Sequence, residues 1–465
     1  MALPEEHPAS APPENSGDGR LTEQEKRRTI RKVGWRLMPV LAFAYFVNSI
    51  DKTNISLASL TMNRDLGLTE AAFGLASGLF FLGYFVFEVP SNVILYKVGP
   101  RRWITRIMVS WGVVSAATAL VHGSGSLYAV RVLLGVAEAG FYPGVLLYLM
   151  FWFPTRYRGR MLAFFVLGGS LSGVFGNPLT GLILDHTDGL LGLSGWRMMF
   201  VLEGLPAIAV GVVALLVLRD RPVDAKWLTE RERTWLTGEL DAEQSLVHGR
   251  NAHAGSFRMI TDIRVAMLSF VYFCKAVGQY GLTFFMPQMI VLFEAEAHHT
   301  YSATTVSLLT SVPALAAVLV AVPWAMHSDR TGERIWHSAL PLFASTAGLC
   351  AAAAFDRPVA IMVALCVASM GIGTMSQAFF QIPGQFLTGM AAAGGLALIN
   401  AVGNLGGFVS PYATGWLKDT TGTFSTACYV MGAVMAVGGF GILAFPRVAR
   451  RKAHTELLRK AHTHA

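Results

Sequence analysis

Long apolar stretches alternate with short polar ones along the chain, and within most of them the apolar residues surround the whole helix rather than one stripe. About twelve reach the ~20 residues a helix needs to cross a hydrocarbon core. They fall near 36–58, 72–95, 103–122, 127–153, 161–184, 196–218, 264–293, 303–326, 336–354, 357–384, 390–416 and 424–446. The pattern predicts an all-α integral membrane protein of twelve transmembrane helices, six in residues 36–218 and six in 264–446. Residues 219–263 turn polar, and Thr229 with Glu232 can cap an amphipathic helix carrying Trp235, Leu236 and Leu240. This segment reads as a cytoplasmic linker lying along the membrane surface. Residues 1–35 and 447–465 read as cytoplasmic tails, the first twenty of them disordered, with a capping box from Thr22 to Glu25 opening a short basic helix.

The placement of Lys and Arg supports this layout. With the N-terminus inside, the cytoplasmic side holds Lys97, Arg101, Arg102 and Arg106, the Arg156–Arg160 group, the linker, Arg330 and Arg334, and both tails. Outer loops hold only Arg64, Arg197, Arg357 and Lys418. That is the positive-inside bias. The net charge of +8 therefore reflects topology, and no nucleic-acid partner is needed to account for it. Charged residues make up 14% of the chain against about 25% in soluble proteins. The 47 glycines suit closely packed membrane helices. Four cysteines lie in apolar runs, so neither a disulfide framework nor a zinc site is expected.

Against this apolar background the ionisable residues inside spans stand out, because charge at membrane depth is expensive and faces a wet cavity or a partner. Arg131 and Glu138 in span four sit on one helix face, two turns or about 10 Å apart. Asp51 lies about seven residues, roughly 10 Å, from the outer end expected for span one, at a depth where it can pair with Arg131. A carboxylate there can take a proton and exchange partners during transport. Glu138, nearer the midplane and without a neighbour in its own segment, is the first choice for a coupling proton site. Lys52 and Lys275 occupy the first helix of each half, so both are expected at one central cavity and suit an anionic substrate. Asn54, Tyr84, Tyr280, Gln381, Asn400 and Asn404 can supply hydrogen bonds to its hydroxyls, although such residues more often join helices.

A loop motif repeats across the linker. His327-Ser328-Asp329-Arg330-Thr331-Gly332-Glu333-Arg334 follows span eight, and Tyr96-Lys97-Val98-Gly99-Pro100-Arg101-Arg102 follows span two. Both resemble the acidic-basic-x-Gly-x-basic motif of the major facilitator superfamily, at matching positions of two pseudo-symmetric lobes. The first copy departs from it, with Tyr96 where the aspartate belongs. A finer resemblance reaches the organic anion:cation symporter branch, which includes bacterial tartrate, galactonate and phthalate transporters, vesicular glutamate transporters and sialin. Asp51-Lys52-x-Asn54-Ile55 resembles that branch's acid-base-x-Asn signature. Arg131 and Glu138 match its span-four pair. The run from Arg219 to Leu228 resembles its linker, and Leu398 to Gly407 its span eleven.

The resemblance implies a carrier that moves a small organic anion with protons by alternating access. It implies that Asp51, Glu138 and Arg131 handle the proton, as the matching acids do in galactonate-type relatives. It also implies that Lys275 stands at the position of a substrate-binding arginine in the vesicular glutamate transporters. Asp329, Arg330, Gly332, Arg334, Gly99 and Arg101 would serve gating loops. The expected setting is the plasma membrane with both termini cytoplasmic, a monomer among lipids, with no cofactor and no metal. A membrane enzyme is disfavoured, since no nucleophile pair or metal-binding spacing is present. A drug exporter for cations would favour an acidic cavity, which two buried lysines and Arg131 oppose. A vitamin-type monocarboxylate carrier remains an alternative.

Overall fold

The computed structural model describes residues 21–250, 262–291, 301–387 and 389–463, so the expected disorder of the first twenty residues lies outside the described part. The regular structure of the described residues is helical throughout. In the first lobe span one runs Glu23–Thr53 and continues as Ile55–Asp65; spans two and three are Glu70–Val98 and Pro100–Ala117. Span four is Ser124–Glu138 and Phe141–Trp152, span five Thr155–Leu171 continued by Asn177–His186, and span six Gly195–Val217. The second lobe holds Ile263–Val291, Ala303–Thr331, Ile335–Ala354, Pro358–Phe379, Gly389–Thr421 and Ser425–Thr463. Eleven spans among the described residues are long and apolar enough to cross a bilayer. The twelfth long helix, Gly389–Thr421, carries Asn400, Asn404 and Ser410 among its glycines.

Span one differs from expectation at both ends. The capping box forms, with Glu25 N–H donating to Thr22 Oγ1 (3.3 Å) and Thr22 N–H to Glu25 Oε2 (2.7 Å), but the basic helix it opens is continuous with the span. At the far end Ile55–Asp65 prolongs the helix, burying Ile55, Leu57, Ala58 and Met62. Its interspersed Ser56, Ser59, Thr61 and Asn63 disguised it as a loop.

The lobes meet along span two against span eleven and span five against span eight. Glycines make the first contact possible: a Cβ at Gly74 would lie 2.1 Å from the Pro411 carbonyl oxygen, and one at Gly415 2.0 Å from that of Glu70. The side away from both termini is closed by two matching devices. Asp419, near the end of span eleven, accepts from the N–H groups of Glu70 (3.1 Å) and Ala71 (2.8 Å), which open span two. Asp185, near the end of span five, accepts from those of Ala303 (3.0 Å) and Thr304 (2.8 Å), which open span eight. Each acid satisfies orphan donors at a positive helix end. Gln288 adds a bond to Ser59 Oγ (3.0 Å). On the side of the termini, by contrast, Val89 and Val93 of span two and Leu319 and Val322 of span eight are exposed. Among the described residues, these inter-lobe hydrogen bonds all lie on the face away from the termini.

Losing a helix cap costs about 0.5–2 kcal/mol, so removing both should ease opening of this face by roughly tenfold or more. The Asp185→Ala/Asp419→Ala protein, bearing a cysteine at Ser59, is expected to react faster with an impermeant maleimide. An unchanged labelling rate would show that the caps do not govern closure.

The linker is held down against the first lobe. Thr229 and Glu232 form the expected reciprocal cap of the helix Glu230–Arg250. Glu232 pairs with Lys32 (2.8 Å) and Glu243 with Arg158 (2.9 Å), while Trp227 stacks on Trp152 at 5.9 Å. In the second lobe Asp262, clamped by Arg264 (2.9 Å) and Lys452 (2.7 Å), ties the start of span seven to the end of span twelve. Those two cations hold its carboxyl at about 2, below the usual range for an aspartate.

Candidate substrate and proton site

Span four is broken in mid-membrane. Ala139 leaves the helical region and Gly140 adopts φ +88°, after which Phe141 restarts the helix. A side chain is strained at that φ, and a Cβ there would also meet Ser91 of span two. Glu138 is thus the last residue of a half-helix. Its Oε1 lies 2.9 Å from Lys52 Nζ, so the acid without a neighbour in its own segment has a cation from span one. The pair is asymmetric: the Glu138 side chain is 1% exposed and that of Lys52 26%. Lys52 Nζ also lies 5.5 Å from the ring centre of Phe80 and 5.3 Å from that of Tyr84.

The expected pairing of Asp51 with Arg131 is not formed. Asp51 Oδ2 accepts from Trp111 Nε1 (2.5 Å), and Oδ1 from Ser115 Oγ (2.9 Å) and Asn54 Nδ2 (3.3 Å). All three donors are neutral, and two of them come from span three. Asp51 also lies deeper than expected, fourteen residues before the helix end at Asp65, or about 21 Å of helix. Arg131, fully buried, donates Nε–H to the Ala76 carbonyl (3.4 Å) and lies over Phe80 at 5.2 Å. Both its terminal nitrogens lack hydrogen-bond acceptors among the described residues.

Asn54 bridges Asp51 to a further acid. Its Nδ2 also donates to Glu203 Oε2 of span six (2.9 Å), and Glu203 Oε1 lies 2.6 Å from Thr180 Oγ1 of span five. Glu203 was passed over in the sequence, although an acid inside the apolar run 196–218 carried the same signal as Glu138. The segment before Thr180, Ser172–Gly176, is a π-helical turn, a feature that often marks functional positions.

In the second lobe Lys275 is 5% exposed. Its Nζ bonds Gln279 Oε1 and lies 5.4 Å from the Tyr272 ring centre; no carboxylate pairs with it among the described residues. Span eleven presses close at this level, with Gly403 against Tyr272 and Gly406 against Ala276. Tyr280 meets Phe81 of the other lobe at 4.4 Å between rings. Asn400 and Asn404 are half-buried on span eleven. Gln381 does not join this group. It is exposed at the end of span ten, donating to Asp329 Oδ1 (3.4 Å), because span ten ends at Phe379 instead of carrying it into the lobe.

The loop motifs are caps. Gly332 takes φ +68° to end span eight, Arg334 pairs with Asp329 (2.9 Å) and bonds Ser328 (2.6 Å), and Arg330 is exposed. In the first copy, where Tyr96 replaces the acid, Asp220 from the linker supplies a carboxylate. It accepts from Arg101 N–H (2.9 Å) beside Gly99, whose φ is +98°, while Arg101 Nε reaches the Leu215 carbonyl (2.7 Å).

The Major Facilitator Superfamily profile matches residues 41–297 and 268–465. A protein of Agrobacterium vitis that carries the provisional name tartrate transporter is 44% identical over 439 residues, 94% of this chain and 96% of its own length. A quinolone resistance transporter of Acinetobacter baumannii is 37% identical over 94% of this chain and 99% of its own length. Among solved structures, the partially occluded inward-open xylose transporter XylE of E. coli superposes with TM-score 0.72 at 13% identity, covering 89% of this chain and 98% of that one. With the profile spanning both six-helix lobes and relatives matching end to end, this chain belongs to the major facilitator superfamily, a family of membrane transporters and not of enzymes.

Proposed function

We propose that the protein carries a small organic carboxylate, of the tartrate or sugar-acid class, across the plasma membrane together with protons, both termini lying in the cytoplasm. The observation that carries the reading is Lys275, a buried cation with no carboxylate partner among the described residues. An ammonium removed from water without a counter-ion is costly, and an anionic substrate would offset that cost. The A. vitis relative's name points to the same class of anion. Coupling follows from the Lys52–Glu138 pair. A proton taken up by Glu138 releases Lys52, which is the more exposed partner and turns to the substrate carboxylate. One proton and one carboxylate thus enter without changing the charge of the site. Arg131 holds Asp51 and Glu138 in a positive field, and Tyr84, Tyr280, Asn400 and Asn404 supply hydrogen bonds. The lobes then rock about this midplane site as a monomer.

Uptake into proteoliposomes with an acidic exterior, screened over a panel of carboxylates, tests the reading. Accumulation should quicken as external pH falls, until the substrate itself protonates, and should stop on adding a protonophore. Sodium dependence without a protonophore response would remove the proton and leave the anion. The A. baumannii relative favours a second reading, proton-driven drug export; extrusion of a quinolone with no carboxylate uptake would select it.

A further inference from the structure

Two buried acids, Asp51 and Glu203, share one amide, and their hydrogen bonds tell them apart. Asn54 Nδ2 lies 3.3 Å from Asp51 Oδ1 and 2.9 Å from Glu203 Oε2. No cation pairs with either acid among the described residues. The charged groups nearby are Glu138 and Lys52, already paired, and Arg131. Two carboxylate anions so close together, out of water and with no cation paired to either, repel strongly, so one of them is neutral. Asp51 receives three donors, one of them an indole N–H that can only donate, and this arrangement suits an anion.

Glu203 has a different neighbour. Thr180 Oγ1 lies 2.6 Å from Glu203 Oε1 and 3.1 Å from the Gly176 carbonyl oxygen. A hydroxyl carries one hydrogen, and a carbonyl has none to give. Both contacts are satisfied together when Thr180 donates to Gly176 and accepts from a protonated Glu203. The other Glu203 oxygen then accepts from Asn54, as observed.

We propose that Glu203 is a second proton-binding site, holding a proton that it exchanges with Asp51 across Asn54. In the transfer the O–H bond on Glu203 Oε1 breaks, one forms on an Asp51 oxygen, and the negative charge moves from Asp51 to Glu203. The Asn54 amide can serve either state, since turning it over presents Oδ1, which has no hydrogen-bond partner among the described residues, to a protonated acid. The proton's residence on Glu203 stands apart from the symport reading; only its use in coupling rests on that reading.

Infrared spectroscopy of the protein in nanodiscs tests residence directly, because a neutral carboxyl has its own C=O stretching band. Wild type should show such a band near neutral pH, Glu203→Gln should lose it, and Thr180→Val should shift it by removing the acceptor. Spectra of Glu203→Gln that coincide with wild type from about pH 5 to about pH 9 would overturn the proposal. Should Glu203→Gln fail to fold, an unshifted band in Thr180→Val would overturn it equally. In transport, Glu203→Gln should reduce acid-driven accumulation by about tenfold or more. Loss of the band with unimpaired accumulation would refute the exchange with Asp51 as a coupling step. If the band is lost while wild-type uptake ignores a protonophore, the symport reading fails and the Glu203 proton stands.

Discussion

Glu138→Gln protein, reconstituted in vesicles, is expected to exchange substrate across the membrane and yet fail to concentrate it. Glutamine imitates the protonated acid permanently, so Lys52 is released at every pH and the empty carrier no longer needs a proton before it binds. Binding should therefore lose its dependence on pH, while accumulation under an acid gradient falls to the level seen with a protonophore. The reverse variant is less informative. Lys52→Ala would strand Glu138, whose side chain is 1% exposed, as a buried anion, and breaking a buried pair in this way costs about 3–5 kcal/mol. Lys52 is better hydrated, so Glu138→Gln spares the fold. Accumulation against a gradient with an unchanged pH profile would rule out Glu138 as the coupling acid.

The second large effect is expected at Lys275. A charge-assisted hydrogen bond to a carboxylate contributes about 1.5–3 kcal/mol, so Lys275→Ala should weaken substrate binding by about ten- to a hundredfold. The side chain now bonds only neutral Gln279 among its described partners, so its loss strands no carboxylate and folding should survive. Lys275→Arg should fall between the two, keeping the charge but presenting a planar fork to a site shaped for an ammonium. Affinity measured in nanodiscs, with folding checked by gel filtration, decides this. Unchanged affinity in well-folded Lys275→Ala protein would take that lysine out of the site and favour the exporter reading.

Much of the architecture was legible because a bilayer imposes its length scale on the sequence. Asp51, Lys52, Arg131, Glu138 and Lys275 were visible for the same reason, as charges where charge is expensive. Their partners were not. Which cation meets Glu138 depends on helix rotation and on a break at Gly140, and rotation is a property of packing that span-level hydropathy does not encode. Asn54 looked like one polar residue among several, and only the approach of span six makes it a bridge. That Gln381 lies past the end of span ten was not legible, because helix ends are the least determined feature of an apolar run. Glu203 differs, because its signal was present in the sequence: an acid inside an apolar run.

The paired caps that close one face have an architectural consequence. Each half of the chain carries both a plug, the aspartate ending its fifth helix, and a socket, the bare amides opening its second. Plug and socket never meet within a half; each fits only the other half. Two copies of the same half would therefore retain both closures, whereas a chimaera built with a half lacking the aspartate would keep one and gape at the other. This face thus displays, in four hydrogen bonds, the self-complementarity by which two identical six-helix chains would close on each other.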